Sequence, residues 1–229
     1  MKYHAVIFDL FGTLVDNFSF QEHERVLSEM AVILSVPIND FARLWRSTFY
    51  ERATGFFETE EANIKHICRT LGLQVEPDRI AVAAQIRSDF IPRILTPRDD
   101  AVETLTQLKA RGCKIGVITN CSEEIPLRWR DTPFASLVDV PIFSNAVGLT
   151  KPDPRIYRLA CERLGVIAQD CLYVGDGGSH ELTGASQVGM HTVLIRVPYE
   201  DTGDAYTIDA EEWKEPAIST LKDVLTMVE

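Results

Sequence analysis

Asp9, Thr119, Lys151, Asp176 and Glu181 are the side chains whose types and placement could do chemistry together. Asp9 closes the apolar run Ala5-Val6-Ile7-Phe8, which reads as a short buried strand, and stands just before the turn Gly12-Thr13. Thr119 ends Lys114-Ile115-Gly116-Val117-Ile118 in the same way, and Asp176 follows Cys171-Leu172-Tyr173-Val174-Gly175. If those strands are parallel neighbours, the three side chains converge on the crevice beyond the strand ends, where open α/β sheets bind ligands. Lys151, in the loop before the helix start Asp153-Pro154, can reach the same place. Taken alone, Asp9 could be a nucleophile, a metal ligand or a helix cap. Each of the others alone is ordinary: a turn residue, a solvated lysine, a glycine loop.

Together they are more specific. Asp176 and Glu181 flank Gly177 and Gly178, and with Asp9 they offer hard oxygen ligands suited to Mg2+. Thr119 and the N–H groups of the loop-to-helix turns can hydrogen-bond an anion, and Lys151 adds fixed positive charge. That set suits displacement by Asp9 on an electrophilic centre, followed by hydrolysis of the aspartyl intermediate.

The elements that must position these groups follow in order. After Asp16-Asn17 the pattern turns helical. Val26, Leu27, Met30, Ile33 and Leu34 share one face, and a second helix capped by Asn39 or Asp40 carries Phe41, Leu44, Trp45 and Phe49. A third helix spans 59–71 and a fourth 77–90, and 91–97 is a proline-punctuated return. From there helix and strand alternate: helix 99–111, strand 114–118, strand 140–143, helix 154–164, strand 171–174, a helix through Ala185, and a last core strand 192–197. An acidic loop over 200–212 and a closing helix over 216–228 complete the chain. The alternation predicts an α/β doubly wound parallel sheet of Rossmann-like order, with an all-helical insertion after the first strand. The expected core is 1–16 with 92–229, and the cap 17–91.

The chain has 229 residues, 45% of them hydrophobic and 25% charged, ordinary for a soluble globular protein. A net charge of −11 argues against nucleic acid and anionic membrane as partners. It points to a small anionic metabolite met by a local cationic pocket or a metal, with the protein a monomer or homodimer. Cys68, Cys113, Cys121, Cys161 and Cys171 form no CxxC pair and read as reduced core thiols of a cytoplasmic protein. The sequence contains no apolar run of membrane-spanning length and no signal-peptide pattern.

In order, the motifs Asp9-Leu10-Phe11-Gly12-Thr13-Leu14, Val117-Ile118-Thr119-Asn120, Lys151-Pro152-Asp153-Pro154 and Gly175-Asp176 with Glu181 resemble the haloacid dehalogenase superfamily. Gly184-Ala185 and Gly189-Met190 follow the fourth motif in step, and the likeness covers nearly the whole chain. The resemblance implies Asp9 as covalent nucleophile, Thr119 and Lys151 as stabilisers of the anion or intermediate, and Asp9, Asp176 and Glu181 around Mg2+.

The superfamily divides at Phe11. Most of its phosphatases carry there a second Asp as general acid/base, help worth roughly 10²–10⁴-fold. Phe11 transfers no proton, and His180, Glu123 and Glu124 are the substitutes within reach. An aromatic at this position looks like the 2-haloacid dehalogenases, whose halide leaves unprotonated. Leu44-Trp45-Arg46 adds to that likeness, because the arginine matching Arg46 helps to bind halide and carboxylate there. On this resemblance Phe11, Asn120 and Arg46 stand against substrate, and Phe18, Phe49 or Phe56 line the cap. The fourth motif points the other way, since dehalogenases need no metal and carry a serine- and asparagine-rich loop. Two retained carboxylates without a cation would repel each other, so a Mg2+-dependent hydrolase of a phosphate ester is the expected activity. A metal-free haloacid dehalogenase and a non-catalytic binding protein of this fold are the alternatives. A third branch, the phosphonoacetaldehyde hydrolases, would need Lys65, the lone lysine of the cap.

Overall fold

The computed structural model describes residues 2–17, 19–198, 213–214 and 216–228. Its strands are β1 (Ala5–Phe8), β2 (Lys114–Thr119), β3 (Val140–Phe143), β4 (Cys171–Gly175), β5 (His191–Ile195) and β6 (Ala217–Ile218). They form one sheet in the order β3-β2-β1-β4-β5-β6, parallel at every pairing. β1 therefore lies between β2 and β4, which brings Asp9, Thr119 and Asp176 to one edge as anticipated. The side chains of β1 and β4 alternate between two apolar clusters. Val6, Phe8, Leu172 and Val174 enter one, and Ala5, Ile7, Cys171 and Tyr173 the other. Burial on both faces explains why these strands read as unbroken apolar runs.

Five helices follow β1: α1 (Phe20–Leu34), α2 (Ile38–Ser47), α3 (Phe49–Ala53), α4 (Glu60–Thr70) and α5 (Pro77–Ile94). They pack on one another through α1 with α5 and α2, and α4 with α5 and α2. Their apolar face is continuous with the first sheet cluster, through Leu27, Met30, Phe41 and Trp45 on one side and Leu10 and Leu14 on the other. The sheet is flanked by α6 (Ala101–Ala110), α7 (Glu124–Arg128), α8 (Ser144–Val147), α9 (Pro154–Leu164) and α10 (Glu181–Gln187), with α11 (Val224–Met227) at the end. The start of α9 is as expected, the Asp153 carboxylate accepting from Arg155 N at 2.9 Å ahead of Pro154.

Several expectations need correction. α5 runs through Pro92 to Ile94. A proline in the last turn removes one ladder bond, and burial of Phe90, Ile91 and Ile94 keeps the turn helical. α2 begins at Ile38 behind Pro37 without a side-chain cap, and Asp40 instead pairs with Arg43 at 3.0 Å. Phe49 opens α3 and is exposed rather than lying on the α2 core face. The strand expected to be last is followed by β6, whose Ala217 and Ile218 pair with Leu194 and Ile195. The expected closing helix is thus a strand, a 3-10 turn over Leu221–Asp223 and the short α11, started by a Thr220–Asp223 capping box. Phe18 and the 200–212 loop lie outside the described residues.

One close contact sets the position of α10. A methyl group at Gly184 would stand 2.7 Å from the Tyr157 hydroxyl and 2.9 Å from the Pro152 carbonyl oxygen. Alanine is favoured over glycine inside a helix by about 0.8–1 kcal/mol, yet here the backbone opposite must move. Gly184→Ala is therefore expected to lower the melting temperature, the reverse of the propensity effect, as thermal denaturation followed by circular dichroism will show.

Candidate active site

Asp9 sits one residue past β1 and its N–H donates to the Val174 carbonyl at 2.9 Å, which keeps it in sheet register. The loop that follows is tied back by Arg98, whose Nη2 donates to the Gly12 carbonyl at 2.8 Å. Gly12 has φ +80°, and a Cβ there would stand 2.2 Å from Asp176 Oδ2, so both the backbone conformation and the close approach require glycine. The second oxygen of Asp176 accepts from Gly178 N at 2.9 Å, and Asn17 Nδ2 donates to Oδ2 at 3.2 Å.

The centre of the site is an ion triad. Lys151 Nζ donates to both Asp9 Oδ1 and Glu181 Oε2, and all three side chains are at least nine-tenths buried. Tyr173 OH also donates to Glu181 Oε2, at 2.8 Å, and Gly177 N to Oε1 at 3.1 Å. The loop carrying Lys151 is clamped by Asn120, which accepts from Lys151 N at 2.8 Å and donates to Lys151 O at 3.3 Å. Asn120 thus spends its amide on positioning the lysine while still forming part of the cavity wall. Thr119 closes β2 with its hydroxyl buried and, among the described residues, without a partner, placed to meet a ligand oxygen.

Burial pushes the Asp9 carboxyl upward, Lys151 opposes the rise, and Asp176 adds to it. Glu181 is raised well above its usual range, first by burial and then by Asp9. Burial also pulls the Lys151 ammonium down, but Asp9 and Glu181 outweigh it and hold the lysine charged. Oxygens of Asp9, Asp176 and Glu181 lie within 4.8 Å of one another. Fully ionised, the three would leave two negative charges in excess against the one lysine. The donor set fits a hard divalent cation, with Asp9 and Asp176 on the cavity wall and Glu181 behind them.

Above the strand ends lies a cavity of about 320 Å³, lined from the core by Asp9, Phe11, Thr119, Lys151 and Asp176. The helical insertion supplies the opposite wall. Arg46 and Phe49 take part as anticipated, while Phe56 is 71% exposed and not part of that wall. Lys65 pairs with Glu61 at 3.5 Å and is not part of it either. Cys121 lines the cavity as a buried thiol raised far out of its usual range, chiefly by burial. His180 is exposed at φ +53°, on the outer side of the fourth-motif loop.

Sequence reading missed His23, Arg52, Arg87 and the supporting Tyr173. Arg87 interrupts the buried stripe Ile80, Ala83, Phe90, Ile91, Ile94 of α5 at a helical interval, and a charge inside an apolar stripe is the signal that could have found it. Its Nε donates to Glu124 Oε1 across to the core at 3.2 Å, and Nη1 lies 3.4 Å from His23 Nδ1. Glu124 is thereby committed to an ion pair in the cavity wall, and half-buried Glu123 has its carboxyl raised to about 6 by burial and by Glu124.

Burial, then Arg87, Arg52 and Arg46, lower His23 to about 3. His23 is thus neutral when folded but protonates near 6.5 when unfolded, so its contribution to stability is lost as pH falls from 6.5 toward 3. Glu123 acts oppositely, its contribution fading as pH rises from 4.5 to 6. His23→Gln is expected to lessen the fall in melting temperature between pH 6.5 and 4.5 relative to wild type, measured by scanning fluorimetry across that range.

A glyceraldehyde 3-phosphate phosphatase of Methanopyrus kandleri is 29% identical over 197 residues, 84% of this chain and 83% of that protein. An (S)-2-haloacid dehalogenase of Pseudomonas fluorescens is 30% identical over 209 residues, 83% of each. The solved structure of a HAD family enzyme from Bacteroides thetaiotaomicron, in complex with magnesium and inorganic phosphate, superposes with TM-score 0.62 at 16% identity, over 88% of this chain and 97% of that one. Relatives are therefore divided between phosphatases and 2-haloacid dehalogenases. Among the described residues no helix is long and apolar enough to cross a membrane. The family model described as haloacid dehalogenase-like hydrolase matches residues 3–189, and this chain belongs to that family of hydrolases.

Proposed function

We propose that this hydrolase is a Mg2+-dependent phosphomonoesterase acting on a small phosphorylated metabolite, with Asp9 as nucleophile. The observation that carries the reading is the cluster of three carboxylates against a single lysine. A dehalogenase, which uses no metal, has no need of that charge excess. Bound there, Mg2+ would offset the excess and polarise the phosphoryl oxygens.

The chain's own groups account for the remainder. An Asp9 oxygen attacks phosphorus, the ester P–O bond breaks, and its electron pair leaves with the alcohol oxygen. Lys151 holds Asp9 in place and neutralises charge on the phosphoryl group, while Thr119 supplies a hydrogen bond to one of its oxygens. Water then attacks the aspartyl phosphate, releasing phosphate and returning the carboxylate. The buried walls restrict other water. Phe11 gives no proton to the departing oxygen, and His23 is held neutral, so turnover depends on the quality of the leaving group.

The second reading, a 2-haloacid dehalogenase, is favoured by one observation, Phe11 on the cavity wall two residues after the nucleophile. A panel of phosphomonoesters and (S)-2-chloropropionate, assayed with Mg2+ and with EDTA, separates the two. Phosphate release abolished by EDTA and by Asp9→Asn is the expected outcome. Chloride release indifferent to EDTA would overturn the proposal.

Phe11→Asp tests the same site from the other side. Restoring an acid beside the leaving group should raise kcat on phosphoesters with poor leaving groups by about tenfold or more, given the usual worth of general acid help. A stable variant without gain on any of them counts against a phosphatase site.

A further inference from the structure

Three arginines of the helical insertion line the cavity that Asp9 also lines, namely Arg46, Arg52 and Arg87. Two of these charges are already matched. Arg46 pairs with Glu24, and Arg87 with Glu124 at 3.2 Å and Glu60 at 4.0 Å. Arg52 differs. Its Nη1 donates to the Trp45 carbonyl at 2.6 Å and to the Thr48 hydroxyl at 2.9 Å, and its guanidinium stacks 4.4 Å from the Trp45 ring centroid. All of these partners are neutral, and among the described residues no carboxylate oxygen comes within 4.0 Å of it.

Arg52 is 5% exposed, and its Nε is buried without an acceptor among the described residues. The indole N–H of Trp45, also part of this wall, is buried without an acceptor too. A guanidinium taken out of water without a counter-charge is unfavourable, as are unpaired donors, so this wall is arranged for an acceptor that arrives with the ligand. The side chain is lowered only to about 10, chiefly by burial, and stays cationic at neutral pH.

We propose that Arg52 selects the substrate by binding a carboxylate in the cavity that Asp9 also lines. A carboxylate matches the planar fork of a guanidinium. Glu124, paired with Arg87 at 3.2 Å, puts a carboxylate in the same cavity wall, which suits a monoanion better than a second phosphate. Resting on the phosphatase reading, this makes the substrate class a small phosphorylated carboxylic acid.

The test compares two matched pairs of phosphoesters. 3-Phosphoglycerate and glycerol 3-phosphate differ by a carboxylate in place of a hydroxymethyl group, and phosphoglycolate and ethyl phosphate by a carboxylate in place of a methyl. Wild type should favour the acid in at least one pair by about tenfold or more in kcat/KM, since a site built for a polar group rejects analogues lacking it. Arg52→Met should compress that ratio to within about threefold, with Arg52→Lys between. If the methionine variant does not fold, the lysine variant carries the comparison. Equal turnover within both pairs in wild type, or an undiminished ratio in the variants, overturns the proposal and leaves the phosphatase reading standing. Absence of hydrolysis and of calorimetric binding by Asp9→Asn for all four esters removes both. Binding of the acids alone by Asp9→Asn, lost on adding Arg52→Met, supports the carboxylate site even if the reaction is not ester hydrolysis.

Discussion

A single buried ammonium holds the site together. Lys151 Nζ reaches Asp9 and Glu181 at once while largely buried, and its own desolvation is offset because both carboxylates are there. Removing one partner from such an arrangement leaves an uncompensated buried charge, at a typical cost of about 3–5 kcal/mol. The loop geometry around it follows from that requirement. Asn120 clamps the lysine backbone, Tyr173 and Gly177 fix Glu181, and Gly184 lets α10 come close enough to present it.

The sheet order converts this local balance into a catalytic geometry. With β1 between β2 and β4, residues distant in sequence are brought to the same end of three adjacent strands. The helical insertion then closes the space above them. Its polar face is unusual in having three arginines and a neutral histidine directed at the cavity, in a chain whose net charge is −11. Glu24 and Glu124 match two of those charges, which leaves Arg52 as the cation of this wall without an ion-pair partner among the described residues. Arg87 with Glu124, and Arg128 with Ser88 at 3.1 Å, join α5 to α7 across the same boundary, so this wall is also a contact between insertion and core.

Membership in the haloacid dehalogenase-like hydrolases leaves open the chemistry within the family, and the two indicators lie in different places. Phe11 removes a proton donor, while Asp176 and Glu181 retain a charge excess that a cation would match. The charge excess is the stronger constraint. An absent acid slows one step, whereas carboxylates this close repel one another in every molecule unless a proton or a cation offsets them.

Strand-by-strand burial made the core legible from sequence. Runs such as Ala5–Phe8 and Cys171–Val174, each ending in a carboxylate and glycine, announced both the parallel sheet and the residues at its mouth, because period and chain order suffice for that. Asp153-Pro154 marked α9 by cap chemistry alone. Local sequence failed where long-range contact overrode it. Ala217 and Ile218 became a strand because β5 offered an edge, and Pro92 stayed helical because its neighbours were buried. The cap wall was the least legible part. Arg52, on the short α3, looks like a solvated charge until packing encloses it, while Arg87 is marked only by its place in the apolar stripe of α5. Only the fold decides that Glu24 neutralises Arg46, Glu124 neutralises Arg87, and no carboxylate comes within ion-pair distance of Arg52 among the described residues. Motif spacing determined which groups meet at Asp9. Which charges face them across the cavity was settled by tertiary structure, since counter-ion pairing depends on distances between helices that the sequence does not encode locally.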